Sequence, residues 1–183
     1  LETLQQPTDP ESPAVSVHWR SFELRPKGAP PIPPEYRARI EASRPQLVTI
    51  ARERYNRTLN PGPFGIDSRP ALIGAKYAEA MGLGPLYHDT VMRAYWQQAQ
   101  DIGDRSVLAD LAKQVGLPRA AYLAALDDPA FDAQVTADVE LARAYGLNGV
   151  PALVFADRYL VSGAQPADEL RRVVDQVAAE IGE

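Results

Sequence analysis

The residues of this sequence whose types could do chemistry are few, and they gather towards its C-terminal end. Gly149-Val150-Pro151 stands at the head of the apolar run Pro151 to Phe155, PALVF. Proline has no N–H to give to a sheet ladder, so at the head of a buried strand it needs a special reason. One such reason is a cis peptide bond, which is largely confined to X–Pro. A cis bond here turns the backbone of Val150 outward and leaves its N–H and C=O free to pair with an extended ligand. An ordinary trans proline at a strand start is the competing reading of the tripeptide. A second stretch, Ser162-Gly163-Ala164-Gln165-Pro166, opens a helix whose first N–H groups and positive dipole end face outward. A plain helix start, with its glycine packed on a sheet, explains the same residues.

Other catalytic classes find little support. Cysteine is absent, so the chain has no disulfide, no thiolate metal site and no cysteine nucleophile. The two histidines, His18 and His88, show no metal-ligand spacing, and no metal site is expected. His88 shares a helical stretch with Tyr87, Val91 and Tyr95, while His18 lies in an extended run. Neither has a Ser or Asp partner at a recognisable spacing, so both read as structural and a hydrolytic triad is not expected. Tyr87, Tyr95 and Trp96 read as core of a helical block. Asp67-Ser68-Arg69 begins a helix, and capping accounts for Asp67 and Ser68.

These groups sit in a chain of ordinary globular composition. It has 183 residues, 45% hydrophobic and 23% charged, enough for one domain or one domain with a large insertion. No stretch approaches the ~20 apolar residues of a membrane span, so no membrane partner is expected. Its 19 basic and 24 acidic residues give a formal charge of −5 and are interleaved along the chain. A basic face for nucleic acid is therefore not expected. The sequence starts at Leu1, with neither an initiator Met nor an apolar signal segment.

The elements that must position the candidates follow from periodicity and punctuation. Residues 1–6, LETLQQ, read as the last turns of a helix closed by the run Pro7 to Pro13. Val15, Val17 and Trp19 alternate, and Phe22 and Leu24 resume after a phase shift, which predicts a half-buried strand with a bulge near Arg20 and Ser21. Pro26 to Pro34 predicts a stiff loop. From Glu35 to Tyr145 the pattern is helical. Pro45 breaks or kinks the first helix, NPGPFG (60–65) is a loop, and Asp67 or Ser68 caps a helix through Met81. Pro85 opens a helix to about Gln98. Asp104 caps the next, with Val107, Leu108, Leu111, Ala112 and Val115 on one stripe. A short helix covers 119–126. Asp128-Pro129 starts another, with Phe131, Val135, Val139 and Ala142 buried and Gly146 as its stop. The period then changes to a hairpin, PALVF, a turn at Asp157-Arg158, and Tyr159 to Val161. Leu170, Val173, Val174, Val177 and Ile181 line the core face of a final helix.

Several segments carry a resemblance. AYGLNGVPALVF, Tyr159 and VSGAQP resemble the closing segment of the DsbA-like FrnE family, and WRSFEL resembles its early strand. DIGDRSVLADLAKQVGL resembles the helix in its insertion, and ALDDPAF with VTADVELARAYG the helix leading to its cis-Pro loop. The resemblance covers nearly the whole chain and is weakest over 26–64. It also relates the chain to 2-hydroxychromene-2-carboxylate isomerases and kappa-class glutathione transferases.

What the resemblance implies is an α/β, thioredoxin-like fold with an all-helical insertion. Thioredoxin-fold parts would cover 1–30 and 146–183, and the insertion with its following helix 31–145. The implied activity is thiol–disulfide exchange on protein or small-molecule thiols. In the family a Cys-x-x-Cys lies where the first strand meets the first helix, packed against the cis-Pro loop that Val150 and Pro151 would form here. That motif and strand are missing from this sequence, and LETLQQ resembles the tail of the motif's helix. The expectation is that both lie before Leu1, the missing strand running between those of Trp19 and Leu153. Gly149, Val150, Pro151, Gly163, Ala164 and Gln165 are the expected substrate-binding residues. No bound cofactor is expected, with glutathione as a candidate thiol substrate held by Val150 and the Gly163–Gln165 helix start. Two other readings stay open, a glutathione-dependent isomerase or transferase with an upstream Ser, and a redox-inactive binding module. The family points to a cytoplasmic location.

Overall fold

The structure is a computed structural model, and it describes residues 2–5, 13–26 and 28–181. They fall into two compact units. One joins Leu1–Phe22 to Glu140–Glu183, and the other is Glu23–Val139.

The second unit is helical. α2 (Pro34–Tyr55) starts on a proline at its first turn, whose missing N–H would have no helical partner there. It runs straight through Pro45 as one helix and ends at Asn56 in the left-handed region. Ala51 is its buried residue, and most of its length is exposed. After the loop at 56–68 come α3 (Arg69–Ala80), α4 (Gly84–Gln98), α5 (Arg105–Gln114), α6 (Arg119–Ala125) and α7 (Pro129–Ala144). The loop is pinned to the end of α4, with Asn60 N–H donating to Trp96 O and Gly62 N–H to Tyr95 O, both at 2.7 Å. Caps fall where turn chemistry puts them. Asp104 Oδ1 accepts from Ser106 N at 2.7 Å, Asp128 Oδ1 from Ala130 N at 2.8 Å, and Asp67 Oδ1 from Arg69 N at 2.9 Å. Ser68, at the cap position of α3, makes no side-chain cap bond.

The core of this unit is drawn from α3 to α7 and centres on two buried phenols. Tyr87 and Tyr122 share a hydrogen bond of 2.5 Å, and Tyr87 also reaches Ala71 O. Burial favours the neutral phenol, so the pKa of Tyr122 is pushed up to about 12 and that of Tyr87 well above its usual value. Leu108, Leu111, Ala112, Val135 and Ile73 close around the pair. Tyr95 and Trp96 are half-buried and meet edge to face at 5.1 Å. α3 is also held to α7 by a buried ion pair, Lys76 to Asp138 at 2.7 Å, with Glu79 also on Lys76 at 3.2 Å.

The first unit contains α1 (Glu2–Gln5), the end of α7, β1 (Ala152–Phe155), β2 (Tyr159–Ser162) and α8 (Ala167–Ile181). β1 and β2 form an antiparallel hairpin in the register Ala152–Ser162, Leu153–Val161, Val154–Leu160 and Phe155–Tyr159. Ala156 and Asp157 both adopt positive φ, so the tight turn falls one residue before the expected Asp157-Arg158. α8 buries Leu170, Val174 and Val177, and α1 lies against it with Leu4 buried. Ile181, expected on that core face, is 59% exposed at the last turn.

The strand expected over Val15 to Leu24 is not formed. Residues 13–18 alternate between half-buried and exposed, but the pattern stops there: Trp19 and Leu24, expected on the half-buried face, are exposed. A strand also needs a ladder partner, and among the described residues the sheet has two strands, β1 and β2. The expected bulge coincides with the loss of alternation, where Ser21 becomes buried. Gln6 of the expected helix and the Pro7 to Ser12 part of its expected stop lie outside the described residues.

Gly74 of α3 shows how tightly the phenol pair is packed. A Cβ there would lie 2.0 Å from Tyr122 Oη and 2.6 Å from Tyr87 Oη. Gly74→Ala should lower the unfolding free energy by about 1–3 kcal/mol, and adding Tyr122→Phe should restore part of it. Chemical denaturation of the two variants checks this, and a single variant as stable as the parent would contradict the packing described.

Candidate functional site

The candidate site lies in the first unit, where the end of α7 meets the hairpin. α7 stops at Gly146, whose φ of +69° turns the chain, while Leu147 N–H donates to Ala142 O at 2.9 Å to close the helix end. The chain then crosses Asn148 and Gly149 and enters β1 through a cis Val150–Pro151 bond. The ladder extends one step past the strands, with Gly163 N–H donating to Pro151 O at 2.9 Å. This bond fixes the proline against the end of β2. Val150 itself is 51% exposed, and its backbone groups have no hydrogen-bond partner among the described residues.

These residues enclose a shallow, open depression of about 280 Å³. Gly149, Val150, Pro151 and Gly163, singled out by the sequence, line it. Ser162, the first residue of the second candidate stretch, lines it too. Gly146, Leu147, Asn148 and Leu160 complete the lining and were missed. The first three are the local approach to Pro151, so their place follows from the same motif. Leu160 could be found only from the hairpin register, which sets it on the same face as Ser162. Ala164 and Gln165 do not line the depression. Gln165 instead turns its Nε2 back on Ser162 O at 3.1 Å, bracing the turn before α8.

No lining side chain is ionisable, so the depression offers backbone dipoles, one hydroxyl, one carboxamide and apolar surface. It suits a neutral extended segment better than a multiply charged one. Among the described residues no group of three or more His, Asp or Glu side chains could hold a metal ion.

The remaining candidates are placed elsewhere. His88 is half-buried on α4, and burial lowers its pKa. His18 does have a serine neighbour, contrary to the expectation from spacing: Ser16 Oγ and His18 Nε2 are 3.2 Å apart. The contact is exposed and two residues long, and among the described residues no carboxylate contacts the ring to complete a triad. Asp67 caps α3, and Arg69 enters an ion-pair network within the helical unit. No described helix is long and apolar enough to cross a membrane.

The architecture agrees with comparison to known proteins. The chain belongs to the DSBA-like thioredoxin domain family, which it matches over residues 1–175. It is 27% identical over 167 residues to the uncharacterized protein YwbO of Bacillus subtilis (strain 168), covering 87% of this chain and 81% of that one. A crystal structure of a probable DsbA oxidoreductase from Streptomyces coelicolor matches with a TM-score of 0.67 and 26% identity, over 78% of this chain and 62% of that one. A 2-hydroxychromene-2-carboxylate isomerase matches with a TM-score of 0.69 and 20% identity, over 84% and 74% of the two chains, which shows a shared fold. The fold is thus a DSBA-like thioredoxin fold, largely helical, with a small two-stranded sheet.

Gly163 holds the ladder end at φ +81°, and the nearest atom to a Cβ there is Gln165 Nε2 at 3.9 Å. Space is not limiting, so Gly163→Ala should cost the conformational penalty alone, about 1 kcal/mol. Chemical denaturation measures it, and an unchanged midpoint would contradict this backbone.

Proposed function

We propose that this chain is the substrate-receiving part of a thiol–disulfide oxidoreductase of the DsbA class, in its FrnE-like branch. The observation that carries the reading is the depression at Gly146–Pro151, where Val150 presents unpaired backbone groups beside Pro151 and Gly163. Membership of the DSBA-like family supports it. On this reading an extended peptide pairs with Val150 and lays a side chain against Leu160, which is 48% exposed. The helical unit is an insertion into the thioredoxin fold. The reacting thiols come from a Cys-x-x-Cys in residues preceding Leu1, at a helix N-terminus that lowers the attacking thiol's pKa. The thiolate attacks a substrate disulfide, one S–S bond forming as the other breaks, and the second cysteine releases the substrate by the same exchange.

The absence of ionisable side chains from the lining favours protein thiols over glutathione, which carries two carboxylates and an amine. It therefore counts against the isomerase or transferase reading. A redox-inactive binding module is the second reading, favoured by the total absence of cysteine from these 183 residues. We further assign the protein to the cytoplasm on the family resemblance.

Insulin reduction by the natural protein, with whatever residues precede Leu1, separates the two. Turnover that disappears when the first upstream cysteine is replaced by serine is the expected result. An upstream segment with no thiol, or an intact cysteine pair with no turnover, would overturn the oxidoreductase reading.

A further inference from the structure

Away from the depression, the most heavily engaged side chain of the helical unit is Arg69, at the start of α3. Its Nε donates to Asp132 Oδ1 at 2.6 Å and its Nη1 to Glu23 Oε2 at 2.8 Å. Its Nη2 donates to Thr136 Oγ1 at 2.8 Å and to Asp132 O at 3.3 Å. The backbone of Arg69 is fixed as well, by Asp67 Oδ1. All three guanidinium nitrogens are used, on partners 46 to 67 residues away in sequence. The Glu23 carboxylate is only 6% exposed, so it depends on this cation to offset its desolvation.

The partners are not scattered. Glu23 is the first residue of the helical unit. Asp132 and Thr136 lie one turn apart on α7, the helix that carries the chain out of the unit after Val139. One side chain therefore ties the segment where the chain enters the unit to the helix by which it leaves.

We propose that Arg69 is a clasp that ties the segment by which the chain enters the helical unit to α7, the helix by which it leaves. Without it, the Glu23 segment and the first turn of α7, before the core residue Val135, open locally while the phenol-centred core stays folded. The core does not need the clasp, because α5 and α6 pack through Leu108, Leu111 and Tyr122 rather than through Arg69. The clasp is independent of the thiol-exchange reading, and it holds or fails whether or not the protein turns over disulfides.

The test combines limited chymotrypsin cleavage after Phe22 and Leu24 with hydrogen exchange, on the full chain. Arg69→Ala should speed cleavage at those bonds, and amide exchange over 130–133, by about tenfold or more, and leave exchange over 105–114 unchanged. Arg69→Lys should fall between, since an ammonium keeps the charge but not the planar fork. If Arg69→Ala does not fold, Glu23→Gln, which keeps the shape and removes one charge, decides by the same cleavage. Unchanged cleavage and exchange in the folded variants would overturn the proposal. So would equal acceleration over 105–114, which would make Arg69 an ordinary support of the whole core.

Discussion

The backbone bond from Gly163 N–H to Pro151 O is the interaction on which the candidate site depends. It adds one rung to a hairpin of four paired positions, and so ties the end of β2 to the proline that opens β1. A slip of one residue would turn every side chain of the hairpin to the opposite face and move Leu160 and Ser162 away from Val150. Two positive-φ residues, Ala156 and Asp157, set the turn that fixes this register. Gln165 braces the other end by holding Ser162 O. The depression is thus built from backbone geometry, and its neutral lining follows because glycine, proline and small or apolar side chains supply most of it.

The helical unit is organised by different physics. Its centre is two phenols that are buried yet satisfied, each by the other, with Gly74 leaving room for both hydroxyls. Its periphery is held by charged groups whose partners come from far along the chain: Lys76 on Asp138, and Arg69 on Glu23 and Asp132. A buried pair such as Lys76–Asp138 adds little net stability compared with apolar packing, but losing one partner strands the other charge. They act on which helices meet rather than on whether helices form.

Most helices were legible in the sequence because their signals are local. Asp104 and Asp128 cap where they were expected to, and Gly146 ends α7. Of the two outcomes expected at Pro45, the break does not occur, since a helix of 22 residues absorbs the loss of one N–H. The segment from Val15 to Leu24 misled for a deeper reason. Its alternation holds through residue 18 and fails at Trp19 and Leu24, and alternation in any case says nothing of whether a ladder partner lies alongside. In the site, Gly149, Val150, Pro151 and Gly163 were legible from proline and glycine chemistry. Leu160 depends on cross-strand register, and Gln165 on a side-chain bond to a carbonyl three residues back, neither of which a linear pattern displays.

The account's central claim is that the Val150–Pro151 loop receives an extended thiol or disulfide substrate. Amide chemical-shift mapping of the isotopically labelled natural protein, titrated with a neutral peptide carrying one disulfide-blocked cysteine, tests it most directly. The account predicts that the largest changes fall on Gly149, Val150 and Gly163, with α5 and α6 unmoved. Saturable changes centred on the helical unit, with Val150 and Gly163 silent, would contradict it.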